Sequence, residues 1–313
     1  MTTSAKIMVA YYKDEQLPNC HVWSDEMFEP WDVKFNLGSP LLEFDLLKKM
    51  RSNGIMDQYQ YSGLMSHSAY GKLAMSPEYV KAEIEDGIKN DVDAILLNPA
   101  IACNAFFKNG IEQAQLIGQD KISLIFDKLG FQNIENINLP YYTFVMCSYI
   151  IAKKSFWDKY FEIVNQIIEN AESMSAHDLE FSEAYFGHAN YRVRVNNYDY
   201  RPFVIERIPQ IIFATNNFKI KYVESTKEVF ARKFGYRAKA IYSLYELKKQ
   251  SDESNEAYAM WEKIRKPFTV NKANLYKAVT VGEFGRTRKQ EEENLQYYDS
   301  GELLSTPKMK VSV

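Results

Sequence analysis

The stretch Ser76–Pro99, SPEYVKAEIEDGIKNDVDAILLNP, decides how this chain is read. Ser76 is a side chain suited to capping a helix start, and Pro77 brings the fixed backbone angle that the first helical position wants. The helix they open runs towards Asn90. Asp93 to Leu97 then turns apolar without a break and stops at Asn98-Pro99, which reads as a short strand buried on both faces. A helix feeding a buried strand is the unit from which helix-covered sheets are built.

The same alternation continues on both sides of that unit. Ile7 to Tyr12 reads as the first strand, and Tyr59 to Met65 as another. Ser39-Pro40 opens a helix carrying Leu41, Leu42, Phe44, Leu46 and Leu47, with Gly54 as its stop. A helix covers Asn109 to Ile117, and Tyr141 to Ala152, rich in aromatic and β-branched residues, reads as a strand. Ser155 and Asp158 resemble a capping box for a helix whose Trp157, Tyr160, Phe161, Val164, Ile167 and Ile168 share one face. The fold class expected is therefore α/β, a mixed Rossmann-like sheet flanked by helices.

Beyond about Val223 strands give way to two helical segments with Lys and Arg threaded between aromatics. Ser225 and Glu228 form a second capping box, and Phe230, Phe234, Ile241 and Tyr245 fall on one stripe despite Gly235. A second segment runs from Ser251 to Arg265, before Lys266-Pro267. This divides the chain into residues 1–222 and a basic, mainly helical extension over 223–313, with 290–302 and 305–313 read as mobile ends.

Composition sets the outer limits. In 313 residues, 46% hydrophobic and 14% aromatic, there is enough apolar area for a substantial core. The longest nearly unbroken apolar run, Phe144 to Ala152, is nine residues, about half of the ~20 that a spanning helix needs. Near Met1 only Ile7 to Ala10 are apolar before Lys13, Asp14 and Glu15, too few for a secretory signal. Cys20, Cys103 and Cys147 are odd in number and widely spaced, as free thiols in a reducing cytoplasm would be.

The net charge of −3 conceals a segregation. Residues 1–200 hold 17 Lys+Arg against 27 Asp+Glu, whereas residues 201–290 hold 19 against 9. The basic part either meets an anionic partner, nucleic acid first, or docks on the acidic part of its own chain.

Several chemistries are excluded by their missing motifs. The chain has no G-x-x-x-x-G-K-[ST], no G-x-G-x-x-G, no G-x-S-x-G and no H-E-x-x-H. His21, His67, His177 and His188 form no local metal pair.

Four stretches carry a resemblance instead: KIMVAYYK (Lys6–Lys13), YSGLMSHSAYGKLAMSP (Tyr61–Pro77), DVDAILLNPAIACNAFFKNGIEQ (Asp91–Gln113), and FVMCSYIIAKKSFW (Phe144–Trp157) followed by PFVIER (Pro202–Arg207). In type and order these resemble the sugar-nucleotide-dependent glycosyltransferases of the GT-A class found in capsular polysaccharide clusters. The likeness spans about residues 6–222, and it departs from the family at Ser148, where an asparagine is expected.

The resemblance implies a nucleotide sugar, a UDP-sugar first, as co-substrate. Its slot would be formed by Ala10, Tyr11 and Tyr12 at the end of the first strand, where open α/β sheets present ligands. Ser66, His67 and Lys72 would meet the diphosphate, with Asp93 and Asn98 beside it. Asp91-Val92-Asp93 is an unconvincing metal-binding D-x-D, because the apolar run follows the aspartates and Asn98 holds the place after it. Metal use is therefore left open. For the catalytic base the candidates are Asp178, Glu180 and Glu183, with Glu206 as an outsider that would equally suit an ion pair with Arg207.

The acceptor is read from the extension. DNA carrying hydroxymethylcytosine, as in phage DNA glycosyltransferases, is the favoured expectation, with phosphate contacts from Arg232, Lys233, Arg237, Lys239, Lys263, Arg265, Lys266, Arg286 and Arg288. A polysaccharide or lipid-linked glycan is the second reading, and an inactive transferase core that only binds nucleic acid is the third.

Overall fold

The computed structural model describes residues 4–23, 25–189 and 198–270. In chain order the elements are β1 (Ala5–Tyr11), α1 (Leu17–His21), β2 (Phe28–Asp32), α2 (Glu43–Ser52), α3 (Ile55–Gln58), β3 (Tyr61–Ser66), α4 (Ala69–Leu73) and α5 (Pro77–Lys89). There follow β4 (Ala94–Leu96), α6 (Ile101–Phe106), α7 (Gly110–Ile117), α8 (Ile122–Lys128), β5 (Ile150–Lys153) and α9 (Lys154–Ser175). The last are α10 (Leu179–Tyr185), α11 (Arg201–Thr215), β6 (Ile220–Tyr222), α12 (Lys227–Phe234), α13 (Ala238–Ser251) and α14 (Asn255–Val270).

The strands form one six-stranded mixed sheet in the order β2-β1-β3-β5-β4-β6. β1 lies parallel to β2 and β3, β4 lies parallel to β6, and β5 runs antiparallel between β3 and β4. From β1 the chain crosses first to β2 on one side and then to β3 on the other. The carboxyl ends of β1 and β3 are thus the switch point at which sheets of this kind leave a crevice.

Side-chain alternation sorts the strands into two cores. Ile7, Val9, Ile95 and Ile151 point to one face, while Met8, Ala10, Leu96 and Ile150 point to the other. The second face is covered by α2, α9 and α11, through residues such as Phe44, Trp157 and Ile208. On the first face Phe230, Phe234, Ile241, Tyr245 and Trp261 of α12–α14 join the same core as β1 and β4. Trp261 donates its indole N–H to the Ala105 carbonyl at 2.8 Å. Residues 227–270 therefore complete one helical layer of the sheet. No helix among the described residues is long and apolar enough to cross a membrane.

The opening stretch folds as its residues dictate. Ser76 caps α5 by accepting from the Tyr79 N–H at 3.2 Å, and β4 follows with all its residues buried. Other local expectations are corrected. The strand read over Tyr141–Ala152 is only Ile150–Lys153, because Cys147 and Ser148 take positive φ values of 59° and 52° and break the extended chain before it. Ser155 is not a cap: α9 begins at Lys154, and Asp158 pairs with Lys154 and Arg51. Thr226, not Ser225, caps α12, and α14 continues through Pro267 to Val270.

Candidate functional site

The carboxyl end of β1 turns at Tyr11 and Tyr12, and the end of β3 leads through Ser66 and His67 into α4. The His67 N–H donates to the Ala10 carbonyl at 2.7 Å, which brings the two strand ends side by side. The Ser66 hydroxyl is hydrogen-bonded to the Tyr149 hydroxyl and, at 2.9 Å, to that of Ser68. Lys72, in the last turn of α4, reaches the Cys147 sulfur at 3.6 Å and lies 5.8 Å from the centre of the Tyr149 ring. A chain of contacts thus runs from β1 through β3 to the strained turn before β5.

Glu206 enters from α11. One of its carboxylate oxygens accepts from the Cys147 N–H at 2.9 Å, and the other pairs with Arg207 at 3.0 Å. Arg207 is itself buried and donates to the Gly110 and Phe203 carbonyls and to Gln113. Charged groups buried this way stay charged only because every donor finds an acceptor. The pair fixes the backbone at Cys147, where a non-glycine residue holds a left-handed conformation that costs energy and marks functional sites more often than ordinary turns.

Glu43, the first residue of α2, is the carboxylate that sequence reasoning missed. Burial raises its pKa above the usual carboxylate range, and the negative charge of Glu206 raises it further, against the pull of Lys72. It precedes two helix positions, Leu46 and Leu47, that are apolar and buried, so an acid three and four residues before them on the same stripe was the available signal.

Tyr12, Glu43, Lys72 and Cys147 each keep partial solvent access, yet burial is the largest single influence on the pKa of each. Groups that are desolvated and still reachable line a recess. The Cys147 thiol is pushed up to about 11 by burial, with Lys72 opposing, so at neutral pH it is uncharged. Lys72 is the opposite case: burial works against its charge, but its neighbours outweigh burial and raise its pKa. The neighbours that raise it are Cys147 first, then Tyr149, then Glu43. Among the described residues the Lys72 ammonium donates only to the Cys147 sulfur, a weak acceptor, and so retains donors for an anion.

The expected site residues divide accordingly. Ala10, Tyr11, Tyr12, Ser66, His67, Lys72 and Glu206 come together at the switch point. Asn98 does not turn to the recess: it is buried, accepts from the Ala100 N–H and donates to the Tyr222 hydroxyl. Asp93 lies at the opposite end of β4, where Lys153 and the Lys219 N–H hold its two oxygens. Asp178 caps α10 through the Phe181 N–H at 3.0 Å and pairs with Lys128 at 2.8 Å, and Glu180 joins the same lysine. Among the described residues the carboxylates of the recess are Glu43 and Glu206, and neither Asp178 nor Glu180 reaches it.

The basic residues of the extension scatter. Lys233 is buried and donates to the Lys72 and Pro99 carbonyls, so it braces α4 instead of facing outward. Arg265 is buried against Glu112 at 2.9 Å and Glu262 at 2.6 Å. Arg232 and Arg237 are half-buried, whereas Lys239, Lys263 and Lys266 are exposed. Arg286, Arg288 and the two expected mobile ends lie outside the described residues. Compared with protein-family models, curated proteins and solved structures, the chain finds no match.

Proposed function

We propose that this protein is a glycosyltransferase of GT-A type that moves a sugar from a nucleotide-sugar donor, a UDP-sugar first, to a hydroxyl acceptor. The observation that carries the reading is Lys72. A charged, under-coordinated ammonium set at a β-sheet switch point, beside the Tyr149 ring, the Cys147 sulfur and Glu43, has the charge and reach that a leaving diphosphate needs. Tyr11 and Tyr12 would flank the base and ribose, Ser66 and His67 would lie along the diphosphate, and a carboxylate would face the acceptor hydroxyl.

For the acceptor, DNA bearing hydroxymethylcytosine remains the first reading. It is supported by exposed Lys239, Lys263 and Lys266 together with exposed Tyr236 and Phe268 on the same helical layer. The test is to incubate the purified protein with a panel of nucleotide sugars and DNA containing cytosine or hydroxymethylcytosine, and to weigh the digested nucleosides. A sugar-sized mass gain on hydroxymethylcytosine alone is the expected outcome. Hydrolysis of one nucleotide sugar without a nucleoside adduct moves the acceptor to a glycan or lipid-linked sugar, and the absence of both rejects the transferase.

A further inference from the structure

We infer that Glu43 is the general base of this site, the carboxylate that takes the proton of the acceptor hydroxyl. The inference rests on the transferase reading above and adds the residue that neither the motifs nor the resemblance names. Among the described residues two carboxylates face the recess, and they differ in what they are free to do. Both oxygens of Glu206 are committed, one to the Cys147 N–H and one to Arg207. Glu43 accepts only from its own backbone N–H among the described residues, which leaves lone pairs for a substrate proton.

Its position is enforced from outside the recess. Leu42, immediately before it, holds φ 48° and ψ −117°, a conformation that leucine adopts only under constraint. The constraint is visible: the Asn36 amide donates to the Leu42 carbonyl at 3.0 Å and is also hydrogen-bonded to Tyr12. The start of α2 is thereby tied to the tyrosine at the end of β1. Among the described residues the groups that face Glu43 are Glu206 from α11, Lys72 from α4, Cys147 from the turn before β5, Tyr12 just after β1 and Tyr160 from α9. Burial and Glu206 make it more basic than an exposed glutamate, which suits proton abstraction near neutral pH.

The step balances in a single displacement. The acceptor oxygen forms a bond to the anomeric carbon while the bond from that carbon to the diphosphate breaks. The bonding pair leaves on the diphosphate oxygen beside Lys72, and the hydroxyl proton passes to Glu43. The products are the glycoside, a nucleoside diphosphate and a protonated Glu43, which returns its proton to water.

The test compares wild type, Glu43→Gln and Glu43→Asp by UDP calorimetry, thermal melting, and turnover of UDP-glucose and UDP-N-acetylglucosamine between pH 5 and 9. Glu43→Gln is expected to bind UDP within about threefold of wild type while losing roughly 10²–10⁴-fold in rate. Wild-type rate falls as pH drops through the raised pKa of Glu43, and that acid limb disappears in Glu43→Gln and returns, at reduced rate, in Glu43→Asp. A Glu43→Gln rate within fivefold of wild type, or an unchanged acid limb, overturns the assignment while leaving the transferase standing. A Glu43→Gln protein that loses UDP binding along with rate, with Glu43→Asp no better, makes Glu43 a mere counter-ion of Lys72 and also overturns it. Wild type that neither binds UDP nor cleaves either donor removes both readings together.

Discussion

A lysine sealed away from water either finds a carboxylate or loses its proton, and Lys248 takes the second course. It is fully buried, donates to Asn138, and sits 4.3 Å from the centre of the Trp261 ring. Burial lowers its pKa to about 7, with Arg265 adding to the effect and Asp252 opposing it. The sign follows from proton counting. Between this value and the ~10.4 of an unfolded lysine, the unfolded chain binds more protons, so stability gains from this residue as pH rises and is lost as pH falls through about 7. The thermal midpoint should therefore climb between pH 7 and about 9.5, before tyrosines ionise at their ordinary ~10. Lys248→Met should raise the midpoint at pH 7 by about 2–4 °C and flatten that climb. An identical pH profile in Lys248→Met would mean that another group carries it. Lys72 is the contrasting case, since Cys147, Tyr149 and Glu43 together outweigh its burial, whereas among the described residues no ion pair holds Lys248.

Among the elements, the antiparallel pairing of β3 and β5 leaves no room for a side chain at one point. Gly63 stands opposite Ile151, and a Cβ there would lie 2.7 Å from the Ile150 carbonyl oxygen and 2.8 Å from the Ile151 side chain. The carbonyl cannot step aside, so Gly63→Ala should cost about 1–3 kcal/mol, read as a lower urea midpoint with unchanged slope. Much of the element pattern was legible. β1, β3, β4, α5, α7 and α9 follow from runs of buried residues and helical periodicity that local sequence states directly. What escaped has physical reasons. β2 (FEPWD) carries Pro30, which only an edge strand tolerates, and β6 (IKY) is three half-buried residues recruited by pairing with β4. The turn at Cys147 and Ser148 is imposed by Glu206 from α11, a contact 59 residues away that no local pattern contains. Of the residues at the switch point, Tyr12 was named from its place after the first strand, and Ser66 and Lys72 from the family resemblance. Glu43 was not, because its role depends on Glu206 and Lys72 arriving from other elements.

For the molecule as a whole, the segregated charge is answered partly from within. Arg265 pairs with Glu112 at 2.9 Å, and Lys221 pairs with Glu83 at 2.9 Å and with Asp86, so the basic part of the chain docks on the acidic part. The shared core of α12–α14 with β1 and β4 points the same way: the basic helices are structural first, and any nucleic-acid contact falls to their exposed lysines. The account then turns on the recess at the β1–β3 switch point and on the cation within it. Calorimetric titration of UDP into wild type and Lys72→Met tests that most directly. The account predicts saturable binding by wild type, at least tenfold weaker binding by Lys72→Met, and a melting temperature for the variant within about 3 °C of wild type. Equal affinity in the two proteins, or no binding in either, would contradict it.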